Sequence, residues 1–371
     1  MLAGLNLLIN LGGNTVRMLG VLLVSAVAVQ VPTVDVSPKR FTAPVSVDAD
    51  DPAIWVHPTH AERSLIIGTD KSKAPAGGLY VFDLDGREVQ GIKNLDQPNN
   101  VDVEYGLQMG HLRRDIVVAT ERLQRRLRVF AVDPERRKLI DVSGKTGVFV
   151  GEPGERGAPM GISLYRRSSD GVIFAFVSRK ESPTNGALAI YRLQHDGRGK
   201  VDLHFVRFTG NCVEGNEIEA IFVDDERGWV YYAEEQRGVH KWSADPKTAQ
   251  RELALLATEP YEGDREGIAA WGNWIVFTDQ IEGRTKFNVH QRGAPHNRVA
   301  TFLTGLDSTD GIEICSKPLG SKWPKGLFVA MNSKDRNFAM ICGSVFEGLK
   351  QAHTRFLGFP VAILGYSVYP A

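Results

Sequence analysis

Six short apolar segments recur along this chain, each ending in a small or polar residue and then polar groups: SLIIGTDK from residue 64, DIVVATER from 115, VIFAFVSRK from 172, WVYYAEEQ from 229, WIVFTDQ from 274 and GLFVAMN from 326. Their spacing, roughly 45 to 57 residues, marks a repeat of one supersecondary unit. Upstream of each lies another apolar stretch (PAIWVHP, NVDVEYG, MGISLYR, IEAIFVDDE, REGIAAW, DGIEICS). Downstream lies a third (GLYVFDLDG, RLRVFAVDP, ALAIYRLQHDG, GVHKWSADP, KFNVHQRG, NFAMICGS), most of them closing in Asp, Gly or Pro turn chemistry. A fourth strand follows five of the units, as in HFVRFTG (204–210), ELALLAT (252–258) and VATFLTG (299–305), but is missing after the sixth. A matching segment, FTAPVSVDA (41–49), stands instead just before the first unit. A chain whose last unit takes its outer strand from the beginning closes a ring and removes the exposed sheet edge of an open array. The expected fold is therefore all-β: a six-bladed β-propeller of four-stranded antiparallel blades, closed by an N-terminal strand in the last blade. Two β-sandwiches are the alternative for this many strands.

The expected domain runs from 40 to 346, and 371 residues at 43% hydrophobic content suffice to bury a core of that size. Lys plus Arg and Asp plus Glu both number 44, so no overall basic field points to nucleic acid, and any electrostatic function must be local. Ahead of the repeats, Arg17 precedes the charge-free run MLGVLLVSAVAVQV (18–31), and Ala26-Val27-Ala28 offers a small-x-small cleavage site. Residues 1–31 thus read as a signal peptide or an uncleaved anchor, with a secreted or periplasmic location and no other membrane attachment. Cys212, Cys315 and Cys342 allow at most one disulfide, so the fold must stand on its core. Residues 347–371 form a C-terminal extension outside the repeat.

In each blade the first two strands form an antiparallel hairpin, so the start of the first and the end of the second meet at one rim near the axis. Aligning the first strands on Ile54, Val103, Ile162, Ile221, Ile268 and Ile312 puts Pro52, Val101, Met160, Glu219, Glu266 and Asp310 two residues earlier, with Asp50 and Asp51 just before the first. The second-strand ends give Lys71, Arg122, Lys180, Glu235, Gln280 and Asn332. Carboxylates from several blades thus face three cations. Clustered carboxylates repel unless cations neutralise them or some hold protons. An oxygen-only donor set without His or Cys suits Ca²⁺ ahead of Mg²⁺, and Lys71, Arg122 and Lys180 suit phosphate oxygens. Metal and phosphate sites side by side suggest phosphoryl chemistry.

The segments DADDPAIWVHP, IGTDKSKAPAGGLYVFDLDG, NNVDVEYG, AEEQRGVHKWSADP, GDREGI and TDGIEI, in this order across roughly residues 45 to 345, resemble the β-propeller phytases. The resemblance implies a calcium-dependent phosphomonoesterase acting on inositol hexakisphosphate (phytate); the site groups then suggest in-line attack of a calcium-activated water, and a monomer is expected. It assigns Asp50, Glu219, Glu235, Glu266 and Asp310 to the calcium ions and the attacking water, with Asp264 beside them, and Asp51 as a ligand or a strand cap. Lys71, Arg122 and Lys180 match the phosphate-binding cations, and Glu181 a further site carboxylate. Where the family commonly has a tyrosine this chain has Met160, and a thioether cannot donate to a phosphate oxygen. Two rival functions share the fold: a calcium-dependent lactonase or phosphotriesterase, which would not need three cations at the metal, and a non-catalytic binding propeller.

Overall fold

The computed structural model describes residues 3–11, 14–22 and 31–349. Its contacts divide the chain into Met1–Pro32 and Thr33–Ala371. In the first unit Ala3–Leu11 and Asn14–Leu22 pair antiparallel. The expected cleavage site at Ala26-Val27-Ala28 and the extension beyond Leu349 lie outside the described residues. Among the described residues, no helix is long and apolar enough to cross a membrane.

The second unit is the six-bladed ring. Blade 1 orders Ala49–Trp55, Leu65–Asp70, Gly78–Asp83 and Glu88–Lys93. Blade 2 follows with Pro98–Met109, Leu112–Glu121, Arg126–Asp133 and Lys138–Asp141, and blade 3 with Pro159–Arg166, Ile173–Arg179, Asn185–His195 and Val201–Asn211. Blade 4 comprises Ile221–Asp224, Trp229–Glu234, Gly238–Ser243 and Ala254–Leu256, and blade 5 Ile268–Trp271, Trp274–Asp279, Lys286–Gln291 and Arg298–Leu303. Blade 6 has three consecutive strands, Ile312–Cys315, Leu327–Asn332 and Asn337–Cys342, and takes Arg40–Phe41 as its antiparallel outer strand. The ring therefore closes through the N-terminal segment, as the repeat count requires.

The closure is shorter than the 41–49 segment suggests. Only Arg40 and Phe41 pair as a strand, against Met340 and Ala339, while Thr42 and Val45 extend it by donating to the carbonyls of Phe338 and Arg336. A second strand was not visible in the repeat pattern: Thr33–Asp35 adds in parallel to Arg298–Leu303, giving blade 5 five strands.

The second strands are buried on both faces, which is why their sequences are continuous apolar runs rather than alternating ones; every residue of Leu65–Asp70, Trp274–Asp279 and Leu327–Asn332 is buried. Six apolar clusters fill the six seams between neighbouring blades. The seam that closes the ring joins Ile66, Tyr80 and Phe82 of blade 1 to Trp323, Met331 and Phe338 of blade 6. Phe346, beyond the last strand, stacks on Trp271 and fills the seam between blades 5 and 6.

Candidate functional site

The end of each second strand builds the rim. Lys71, Arg122, Lys180, Glu235 and Gln280 each directly follow the last residue of a second strand, and in blade 6 that position is Ser333, one residue past the expected Asn332. The same backbone bond fixes five of these positions: the amides of Lys71, Arg122, Lys180, Gln280 and Ser333 donate to the carbonyls of Asp48, Gln97, Ala158, Asp264 and Asp307, at 2.8, 3.1, 2.9, 3.0 and 3.0 Å. One residue earlier the side chain braces the loop that enters the inner strand. Asp70 accepts from the amides of Val47 and Asp48, Glu121 from Asp96, Asp279 from Glu262 and Gly263, and Asn332 from Asp307. Glu234 accepts instead from Val213. Two residues earlier a hydroxyl crosses to the next blade: Thr120 donates to the Met160 carbonyl at 2.8 Å, Ser178 to Ile218 at 2.5 Å and Thr278 to Asp310 at 3.4 Å. These bonds hold Glu219 and Asp310 from the backbone side.

Close approach beside the acids depends on glycine. A Cβ on Gly161 would lie 1.9 Å from the Glu219 carbonyl oxygen, and one on Gly311 would lie 2.0 Å from Asp51 Oδ1.

The acids gather into two groups, Asp50 with Glu219 and Asp310, and Glu235 with Asp264 and Glu266. Within each, one oxygen per residue lies within 4.8 Å of the others. Glu219, Asp310, Glu235, Asp264 and Glu266 line one cleft of about 490 Å³ together with Lys71, Arg122 and Lys180, and Asp50 lies fully buried behind Lys71 and Asp310. Lys71 bridges the first group, with Nζ 2.5 Å from Asp50 Oδ1 and 3.1 Å from Asp310 Oδ2. Arg122 Nη2 donates to Asn99 Oδ1 and lies 2.7 Å from Met160 Sδ. Asn99 Nδ2 in turn donates to Glu219 Oε1 at 2.8 Å, and Gln280 Nε2 donates to Asp310 Oδ1. Lys180 pairs with Glu217.

Two expected site residues stand apart. Glu181 turns outward to Arg156 at 3.3 Å and does not line the cleft. Asp51 belongs to neither group: Oδ2 accepts from the Val101 amide at 2.9 Å, and its side chain lines the axial cavity with Asp102 and Glu313. Arg265 is also committed elsewhere, donating to the carbonyls of Glu235, Ala257 and Glu259 while stacking on Tyr261, so it does not replace the missing tyrosine hydroxyl. Sequence reasoning missed Glu217, Asn99 and the bracing acids. The bracing acids did leave a signal, since TDK, TER, EEQ and TDQ repeat an acid just before the rim residue.

Burial and mutual repulsion push the carboxyls up. Burial, despite Lys71, raises Asp50 to about 8, and burial with the Asp50 charge raises Glu219 to about 7. Burial with Glu217 and Asp264 raises Glu235 to about 8, and burial also lifts Glu266 and Asp310. Burial alone would pull the Lys71 ammonium down, but Asp50, Glu219 and Asp310 outweigh it and hold it above its ordinary value. Asp50 Oδ2 and Glu266 Oε2 are buried without a hydrogen bond, while Asp50 Oδ1 meets the Lys71 ammonium. Orphaned oxygens in each acidic group, in a donor set of carboxylates alone, fit a hard divalent cation.

A family model described as Phytase matches residues 8–346. The chain belongs to the phytase family. It is a phosphoric monoester hydrolase on an all-β propeller frame. The 3-phytase of Bacillus subtilis (strain 168) is 30% identical over 303 residues, covering 77% of this chain and 75% of the relative. Among solved structures, the β-propeller domain of Cps50 (Swd1) from Myceliophteria thermophila aligns at 10% identity and TM-score 0.44, over 79% of this chain and 82% of that one. A luciferin-regenerating enzyme aligns at 10% identity and TM-score 0.49, over 80% and 91%.

Proposed function

We propose that this phytase-family chain hydrolyses phytate in a calcium-dependent reaction at the rim cleft. The observation that carries the reading is the placement of two orphan-bearing carboxylate groups against three cations in one cleft. Asp50, Glu219 and Asp310 would hold one calcium centre, and Glu235, Asp264 and Glu266 another. Calcium supplies Lewis-acid charge for the phosphoryl oxygens and for the attacking water, in a site whose carboxylates otherwise retain protons.

The chain's own residues do the remainder. Arg122 is the anchor for phosphate, because its guanidinium meets only neutral acceptors, Asn99 and Met160, and its Nε has no partner. Lys71 and Lys180 add charge-assisted hydrogen bonds to the equatorial oxygens, where negative charge spreads in the transition state. Glu266 and Asp310, on opposite acidic groups, accept hydrogen bonds from the attacking water and set it in line with the leaving inositol oxygen. Gln280, donating to Asp310, keeps that carboxylate turned into the cleft. The Met18–Val31 run and its small-residue motif support export, which would place the enzyme where calcium is abundant.

The test is phosphate release from phytate with calcium present and with a chelator. Release that needs calcium and vanishes in Asp310→Asn and Glu266→Gln supports the reading. Release that ignores the chelator, or none under any condition, refutes it.

A further inference from the structure

Each of the three cations meets a protein partner, and only one charged partner belongs to neither acidic group. Lys71 is held by Asp50 and Asp310, both members of the first group, so a cation bound there takes over their charge and frees the ammonium. Arg122 meets neutral atoms. Lys180 is paired with Glu217, which is a member of neither group, so a cation held by either does not take its carboxylate as a group ligand. The pairing is built into the backbone on both sides of Glu217. Ser178 Oγ donates to the Ile218 carbonyl at 2.5 Å, the Asn216 side chain donates to Glu234 Oε1 at 2.6 Å, and the Ser182 amide donates to the Asn216 carbonyl at 3.2 Å. The Glu217 carboxylate is thus presented to the cleft by a pinned segment rather than carried on a free loop.

We infer that Glu217 is a specificity-determining residue: its carboxylate occupies the Lys180 ammonium, and a phosphate must displace it to use that cation. This rests on the reading of the cleft as a phosphate site. An isolated phosphate, once anchored at Arg122, gains little from Lys180 because it exchanges one charge-assisted contact for another. A substrate carrying neighbouring phosphates can hold Arg122 with one group and compete at Lys180 with a second at high effective concentration. Glu217 therefore weakens retention of product phosphate and of monophosphate esters, and favours polyphosphorylated substrates.

The test is binding of inorganic phosphate to the metal-free full chain at low salt, followed by calorimetry. Glu217→Gln keeps the shape and removes the charge, and should tighten phosphate about tenfold, the scale of one charge-assisted hydrogen bond. Glu217→Asp, which withdraws the carboxylate by one methylene, should move affinity the same way and serves if the first variant does not fold. Lys180→Gln should cost more affinity in the Glu217→Gln background than alone, which a merely structural role for Glu217 would not produce. Unchanged or weaker phosphate binding in folded Glu217→Gln and Glu217→Asp, or strictly additive effects with Lys180→Gln, overturns the inference. Because the readout is phosphate binding without turnover, failure of phytate hydrolysis would count against the proposed reaction and not against this exchange at Lys180.

Discussion

Removing calcium should destabilise the propeller by an amount that depends on pH in a defined direction. Asp50 rises to about 8, Glu219 to about 7 and Glu235 to about 8, so the metal-free native state holds protons that the unfolded chain has already released by about pH 5. A carboxyl raised on folding favours the native state below its unfolded value, and that advantage is lost as pH climbs to the folded value. The metal-free protein should therefore lose stability between about pH 5 and pH 8. A cation replaces those protons, so calcium should stabilise most near pH 8 and progressively less as protons compete near pH 6. At a free concentration of about 100 times Kd, one site contributes about 2.7 kcal/mol. With an unfolding entropy of about 2.1 cal/mol/K per residue over about 320 residues, that corresponds to about 4 °C in Tm for one acidic group and about 8 °C for both. Differential scanning calorimetry at about pH 6, 7 and 8, with calcium or chelator, reads this directly. Asp310→Asn should remove about half of the increment. Superimposed melts at pH 8, or an increment as large at pH 6 as at pH 8, would refute the reasoning.

Other substitutions separate the parts of the rim. Met160→Tyr restores a hydroxyl beside Arg122 and, since a hydrogen bond to a charged group is worth roughly 1.5 to 3 kcal/mol, should raise kcat/KM on phytate at least tenfold; no gain in a folded variant would mean that the cleft is shaped around the thioether. Lys71→Met leaves buried Asp50 and Asp310 without their ammonium and should cost roughly 3 to 5 kcal/mol in chelator, most of it recovered with calcium; equal losses in both conditions would count against a shared role. Ser178→Ala cuts the bond to the Ile218 carbonyl, one residue from Glu219, and should lower Tm together with kcat, the stability loss being about 1 kcal/mol. A lowered Tm at unchanged kcat would free Glu219 of that dependence.

Six blades and their closure were legible because each second strand is a buried apolar run ending in a polar pair, and this repeats whatever the loops do. Glu219, Glu266 and Asp310 were legible for the same reason: each sits two residues before the inner strand's aligned isoleucine, a position fixed by register with Tyr232, Phe277 and Ala330. The parallel strand Thr33–Asp35 was not, since three exposed residues carry no periodicity of their own and pair only because the chain passes blade 5 on its way to closing blade 6. Asp50 and Asp51 looked equivalent in sequence. A register shift between Ala49 and Pro52 and the alternation of the strand send Asp50 to Lys71 and Asp51 to the Val101 amide. Glu217 was invisible because its partner lies 37 residues away on another blade.

The short polar run ending each second strand does more than close a hairpin. In TER and TDQ the threonine bonds to the next blade, the acid braces the entering loop, and the third residue faces the cleft, so ring assembly and site geometry come from the same three positions. Blade 3 departs from the pattern and shows what the brace requires. There Arg179 replaces the acid, lies between the rings of Phe149 and Phe208, and reaches Glu152 at 3.4 Å, so an ion pair and two cation–π contacts hold the loop that other blades hold with backbone amides. Ser178 still bonds to the Ile218 carbonyl and the Lys180 amide still bonds to Ala158. The brace can thus change chemistry while the outer two positions keep theirs. This is why Lys180 remains at the rim opposite the carboxylates, and why changes at the middle position should alter stability before they alter catalysis.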